Sequence, residues 1–278
     1  MTVGIVGLGL IGGSLAKTFK FRTDYKVLGF DSDDLTIKRA ELIYAIDGVL
    51  DSQNIKECDY LFLAMYPEIC IKYLEQNGNI INKDTVVIDC CGVKEAICKQ
   101  GFELANKHGF TFVGGHPMAG TQFSGFTHAS HTMFSGASMV LVPEHNNDIK
   151  FMAKLRDLFL ELGFKNVTFS TASKHDELIA FTSQLAHIVS NAYVKSPTAK
   201  SHKGFSAGSY KDLTRVAHLN AKMWADLFSK NKDHLVFEID NIISELSKYK
   251  DALNSNNTDL LENLLKQGSD LKDEIDKD

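Results

Sequence analysis

The sequence predicts a two-part chain, an α/β domain built on a parallel sheet followed by an all-helical domain. Over the first 170 residues short β-type runs alternate with helical patterns, and beyond residue 170 only helical periodicity continues. The length, 278 residues, suits two domains better than one or three. The predicted domains are therefore 1–170 and 171–278.

In chain order, the strand runs are 3–6, 26–30, 60–64, 86–89, 111–113, 138–142 and 166–170, each apolar and rich in β-branched or aromatic residues. Ser173-Lys174-His175-Asp176 reads as a capping box with Asp in place of Glu, and it opens a long helix reaching about residue 195. Further helices are expected over 221–229, 232–249 and 258–267. In 232–249, Leu235, Ile239, Ile242, Leu246 and Tyr249 recur at spacings of four and three, forming one narrow apolar seam. Such a seam needs a partner helix, which a second subunit would supply.

Composition narrows the function classes. A hydrophobic fraction of 44% and a charged fraction of 23% are globular values. The net charge of −5 argues against nucleic-acid binding, which needs a basic surface. Residues 234–278 hold 11 acidic side chains against 5 lysines, the mark of a solvated helical surface. No apolar stretch approaches the roughly 20 residues that span a bilayer, and the N-terminus lacks a basic lead, so a cytoplasmic location is expected. The five cysteines, Cys58, Cys70, Cys90, Cys91 and Cys98, lack C-x-x-C spacing and read as reduced thiols, with no metal site.

Gly7-Leu8-Gly9-Leu10-Ile11-Gly12 matches G-x-G-x-x-G, directly after the first strand and at the start of a helical pattern. Asp31 ends the next strand, 19 residues after Gly12. This is the Rossmann-type arrangement for a dinucleotide. Gly7 allows the turn, Gly9 lets backbone approach a pyrophosphate, Gly12 lets helix and strand pack, and the amides around Leu10 and Ile11 face the phosphates. Asp31 would accept from the ribose hydroxyls. With Asp33 and Asp34 beside it the site would repel a 2′-phosphate, so NAD is favoured over NADP.

A second glycine-rich segment, Gly114-Gly115-His116-Pro117-Met118-Ala119-Gly120-Thr121, follows a predicted strand, at the sheet edge where such folds bind ligands. His116 there is either a proton acceptor for an alcohol undergoing oxidation or a structural histidine. On the helix from His175, Ser183, His187 and Asn191 make a polar stripe on an otherwise apolar surface, which points to a wet cleft.

These blocks, together with Ser183-Gln184-Leu185-Ala186-His187, Gly208-Ser209-Tyr210-Lys211-Asp212-Leu213-Thr214-Arg215 and Met223-Trp224, resemble the prephenate dehydrogenase family with its arogenate-using relatives. The resemblance implies a nucleotide-binding domain followed by an all-helical dimerisation domain. It also implies NAD-dependent oxidative decarboxylation of prephenate to 4-hydroxyphenylpyruvate, on the route to tyrosine, with arogenate as the alternative substrate. His116 would take the ring hydroxyl proton and Arg215 would bind a substrate carboxylate. Only four residues of the chain are arginine, so a two-pronged carboxylate contact has few candidates. The resemblance groups Ser183, His187, Thr121, Gln122, Gly208 and Lys211 with the substrate pocket, and brings Trp224 to the neighbouring subunit's site.

Two positions depart from the family pattern. In Asp89-Cys90-Cys91-Gly92-Val93-Lys94, Gly92 stands where relatives commonly have a serine that supports the histidine. The orienting partner of His116 is then a water, Cys91 or a hydroxyl such as Ser124. Gln122 stands where some relatives carry an acid, beside the substrate side chain. Competing readings are a β-hydroxyacid dehydrogenase using Lys195 or Lys211, which gives His116 no task, and a non-catalytic NAD-sensing module. After the two domains, 278 residues leave no room for a third, although tyrosine could still inhibit at the active site itself.

Overall fold

The computed structural model describes residues 1–121, 123–145 and 148–277. Eight strands form one sheet: β1 (Thr2–Val6), β2 (Lys26–Phe30), β3 (Gly48–Val49), β4 (Tyr60–Leu63), β5 (Val86–Asp89), β6 (Thr111–Pro117), β7 (Ser138–Pro143) and β8 (Asn166–Phe169). Their order is β3-β2-β1-β4-β5-β6-β7-β8. The order reverses between β1 and β4, which creates a crevice at the strands' C-terminal ends.

All seven predicted strands are present, with two differences. The two-residue β3 is too short to leave a periodic signal. The sheet is also not wholly parallel, because β6 and β7 run antiparallel, with His116 opposite Val140. That pairing carries β6 to Pro117, so His116 sits within a strand and is held by its ladder.

Alternation along the strands feeds two cores. Ile5, Phe62 and Ile88 point to the face covered by α1 (Leu10–Arg22) and α5 (Ile149–Glu161), where they meet Phe19 and Phe159. Leu61, Leu63 and Val87 point to the face covered by α3 (Pro67–Asn77) and α4 (Glu95–His108), where they meet Cys70 and Ile97. A strand buried on both faces needs apolar side chains at every position, as these runs have. α2 (Asp34–Leu42) follows β2.

After β8 the chain is helical. α6 (Ala172–Ile179), a π-helical turn (Ala180–Leu185) and α7 (Ala186–Tyr193) run consecutively over the predicted long helix. Its cap is Thr171, whose hydroxyl accepts from the Lys174 amide, and not the expected box at Ser173. Asp176 is thereby released for another task. α8 (Gly208–Thr214) was not expected, since seven residues are too few to show a period. α9 (Ala221–Lys230), α10 (Lys232–Asn254) and α11 (Thr258–Ile275) complete the chain, the last two longer than predicted.

The seam on α10 is divided. Leu235 is buried and the Tyr249 hydroxyl donates to the Leu264 carbonyl of α11, so the chain itself partners part of it. Leu246 remains exposed, in a stripe with Val236, Ile243 and Leu253. No helix among the described residues is long and apolar enough to cross a membrane.

Candidate active site

The glycine loop ends β1 at the crevice. Gly7 has φ +87°, and a Cβ on Gly12 would lie 1.8 Å from the Gly7 carbonyl oxygen, so neither position admits a side chain. At Gly9 nothing lies within 4 Å of where a Cβ would stand, which leaves an open cradle. α1 begins with no side-chain cap and no acidic residue in its first turn, so its leading amides and positive end are uncompensated. Asp31 is fixed beside this loop: one carboxylate oxygen accepts from the Leu8 amide at 2.7 Å and the other from the Asp33 amide at 3.0 Å. An open backbone cradle, a bare helix N-terminus and an oriented carboxylate fit the pyrophosphate and ribose of a dinucleotide.

The His116 Nδ1 atom lies 2.8 Å from His175 Nε2. The His175 Nδ1 atom lies 2.7 Å from an Asp176 carboxylate oxygen. Asp176 is buried and also accepts from the backbone amides of Lys94 at 2.7 Å and Glu95 at 2.8 Å, capping α4 from outside. The ionised carboxylate accepts only, so His175 Nδ1 carries the proton and His175 Nε2 is the acceptor. His116 Nδ1 must then donate, and its Nε2 is left with a free lone pair. The chain of bonds assigns the tautomer.

Beneath His116, the buried Asp89 carboxylate accepts from the amides of Gly115 at 3.1 Å and Cys91 at 2.8 Å and pairs with the Lys94 ammonium. Burial, then His175, then Lys94 push the His116 imidazole well below its ordinary value of 6.5. Burial also lowers His175, with the Asp176 hydrogen bond opposing it. Burial lowers Lys94 as well, but Asp89 outweighs it and holds the ammonium above its ordinary value. His116 is consequently neutral at neutral pH, with Nε2 able to take a proton.

The orienting partner of His116 is therefore His175, not Cys91 or Ser124. Cys91 instead faces the Cys70 sulfur at 3.9 Å and the Met65 carbonyl. A Cβ on Gly92 would stand 3.9 Å from His116 Nε2 and 3.5 Å from Leu227 of α9. One turn earlier on α9, the Trp224 ring lies 4.0 Å from the His187 ring, tilted by 31°. His187 Nδ1 donates to the Ser183 carbonyl at 2.8 Å, within the π turn. α9 thus spans from His116 to the polar stripe. Trp224 meets His187 within its own chain.

Asn191, the third member of the stripe, donates to the Ala217 carbonyl at 3.0 Å, which ties the segment just after Arg215 to α7. Arg215 follows α8, is exposed, and has no ion-pair partner among the described residues. Gly208 and Lys211 lie on the same exposed helix, and Thr121 bonds only its neighbour Phe123. Among the described residues none of these four is hydrogen-bonded or ion-paired to His116, and Gln122 lies outside the described residues.

Family models place this arrangement. Residues 15–168 match the nucleotide-binding domain of prephenate dehydrogenase, and residues 171–267 match its dimerization domain. The chain belongs to the prephenate dehydrogenase family. The prephenate dehydrogenase of Bacillus subtilis is 28% identical over 98% of this chain and 75% of its own length. The Synechocystis arogenate dehydrogenase structure superposes with a TM-score of 0.84 at 26% identity, covering 99% of this chain and 100% of the other. The Aquifex aeolicus prephenate dehydrogenase, solved with hydroxyphenyl propionate and NAD+, also gives 0.84, at 27% identity over 99% and 98% of the two chains. Within this family the resemblance drawn from the sequence is secure, while prephenate and arogenate enzymes match equally well.

His175, Asp176, Asp89 and Lys94 were not singled out from the sequence as functional. His175-Asp176 resembled a helix cap, and nothing local distinguishes a carboxylate that caps its own helix from one that caps another 81 residues away. The available signal was an ionisable pair at the start of an otherwise apolar helix.

Proposed function

We propose that the protein catalyses NAD-dependent oxidative decarboxylation of prephenate to 4-hydroxyphenylpyruvate. The observation that carries this reading is the neutral His116, its Nδ1 committed to His175 and Asp176 and its Nε2 free near the C-terminal end of β6. Gly7, Gly9, Leu10, Ile11, Gly12 and Asp31 hold NAD, which when bound supplies the hydride acceptor. Asp31 and its acidic neighbours Asp33 and Asp34 favour NAD over NADP.

His116 Nε2 takes the proton of the ring hydroxyl. The positive charge that forms is shared with His175 and balanced by Asp176, as a buried carboxylate stabilises an imidazolium in hydrolase triads. Loss of the ring carboxylate as carbon dioxide then aromatises the ring. Arg215 anchors a substrate carboxylate through two parallel bonds, and its lack of an ion-pair partner among the described residues supports that role. His187, Ser183, Trp224, Thr121, Gly208 and Lys211 bind the substrate, and Gln122 is read with them as a substrate-binding residue. The two domains are 1–170 and 171–278, and the helical one pairs with a second copy in the cytoplasm.

Arogenate is the second reading, favoured by the match to the Synechocystis enzyme. The test offers the purified protein prephenate or arogenate with NAD or NADP and follows reduced nicotinamide. Turnover of prephenate with NAD is expected; silence in all four mixtures would refute an enzymatic role. The His116→Asn variant should bind NAD and lose about 10²-fold or more in kcat, the scale of a lost general base.

A further inference from the structure

Two supports hold His116, one on each side. Through its side chain it reaches His175 and Asp176 of α6, and through its own backbone it follows Gly115, whose amide donates to Asp89. Lys94 joins both. Its backbone amide donates to the same Asp176 oxygen that receives His175, and its ammonium pairs with Asp89. The result is a ring of hydrogen bonds closed by the chain itself: His116, His175, Asp176, Lys94, Asp89, Gly115 and, through the peptide bond, back to His116. The side chains of Lys94 and Asp89 are both 0% exposed.

We propose that Lys94 is a positioning residue for the reaction, the one residue that locks both supports of His116 into a single frame across the α/β and helical regions. The proposal rests on His116 being the proton acceptor. An ammonium stripped of water is expensive to bury, and Asp89 alone could have been satisfied by the amides of Gly115 and Cys91. The cation therefore does more than neutralise Asp89.

Its second effect is electrostatic. The ring holds two carboxylates and one fixed cation, so it is one charge short of neutral until His116 gains its proton. Burial and His175 lower the His116 imidazole first, and Lys94 lowers it further. The other charged or titratable groups on the packed elements are Asp89, Cys90 and Cys91 from the β5 turn, Glu95 and Cys98 from α4, and His175 and Asp176 from α6. α9 presents Leu227 to Gly92, while its Lys230 pairs with Asp226 and Glu68.

The test uses the full chain with prephenate and NAD. Lys94→Met alone strands a buried carboxylate, so the decisive variant is Asp89→Asn/Lys94→Met, which removes both charges and keeps an acceptor for Gly115. It should bind NAD normally, lose about tenfold or more in kcat with a smaller change in KM, and move the acidic limb of kcat/KM to higher pH. An unmoved limb with kcat within about twofold of wild type would overturn the proposal. Should the double variant not fold, Lys94→Arg decides, since it keeps the charge and disturbs the bonds. A fall in kcat with the limb unmoved supports the frame, and wild-type kcat refutes it. An active His116→Asn enzyme would instead refute the underlying reading, and the two failures are distinguishable.

Discussion

In the α/β region both faces of the sheet are covered and Phe62, Leu61 and Phe159 are completely buried, whereas α8, α9 and α11 bury no residue and α10 buries only Leu235 and Ala252. α6 and the π turn bury Ile179, Ala180 and Leu185, and beside them a polar set, His175, Asp176, Gln184 and Asn231. Asn231 donates both to the Asp176 carbonyl and to Gln184, which fixes the start of α10 to the segment that carries the relay. The first region holds itself together by apolar burial. The second is held largely by what it touches, the ring around His116, and the proposed pairing with a second copy would cover the exposed stripe on α10.

Substitutions can break that contrast. Phe62→Ala removes a fully buried ring and should cost about 3–5 kcal/mol, read from chemical denaturation. Leu246→Ser/Leu253→Ser, at positions 60% and 61% exposed, should leave the single chain's stability nearly unchanged. It should weaken association by about 1.5–3 kcal/mol for each side chain buried in the dimer, measured by sedimentation. Equal losses of monomer stability in both variants would erase the distinction.

Arg215→Ala should raise KM by about 10- to 100-fold, the equivalent of one charge-assisted carboxylate contact, with kcat less affected. The smallest effect is expected at Gly92→Ala. The added methyl meets only ordinary contacts, with Leu227 at 3.5 Å as the nearest, so kcat/KM should stay within about twofold. A large loss there would mean that the space beside His116 Nε2 is needed empty.

What was legible in the sequence follows from how local each signal is. The glycine turn and the strand runs are set by neighbours within a few residues, and the structure has the turn and all seven strands where the sequence predicts them. His187 stood out by its spacing on an apolar helix, while Arg215 was named by the family resemblance and sharpened by the scarcity of arginine. The relay was not legible, because its bonds join residues 59 and 82 positions apart in different regions. The antiparallel β6-β7 pair was missed for a similar reason: alternation marks a strand, while its direction is settled by the partner.

The most direct test of the account is the pH dependence of kcat/KM for prephenate from about pH 5 to about pH 8, where an unperturbed imidazole titrates. A general base whose pKa is depressed stays unprotonated, and therefore active, as pH falls through the ordinary histidine value; activity is lost only on reaching the lowered one. The account predicts a profile that is flat through pH 6.5 and falls on the acid side below it. A limb at or above 6.5 in the wild-type enzyme would contradict a His116 held neutral by its burial, His175 and Lys94.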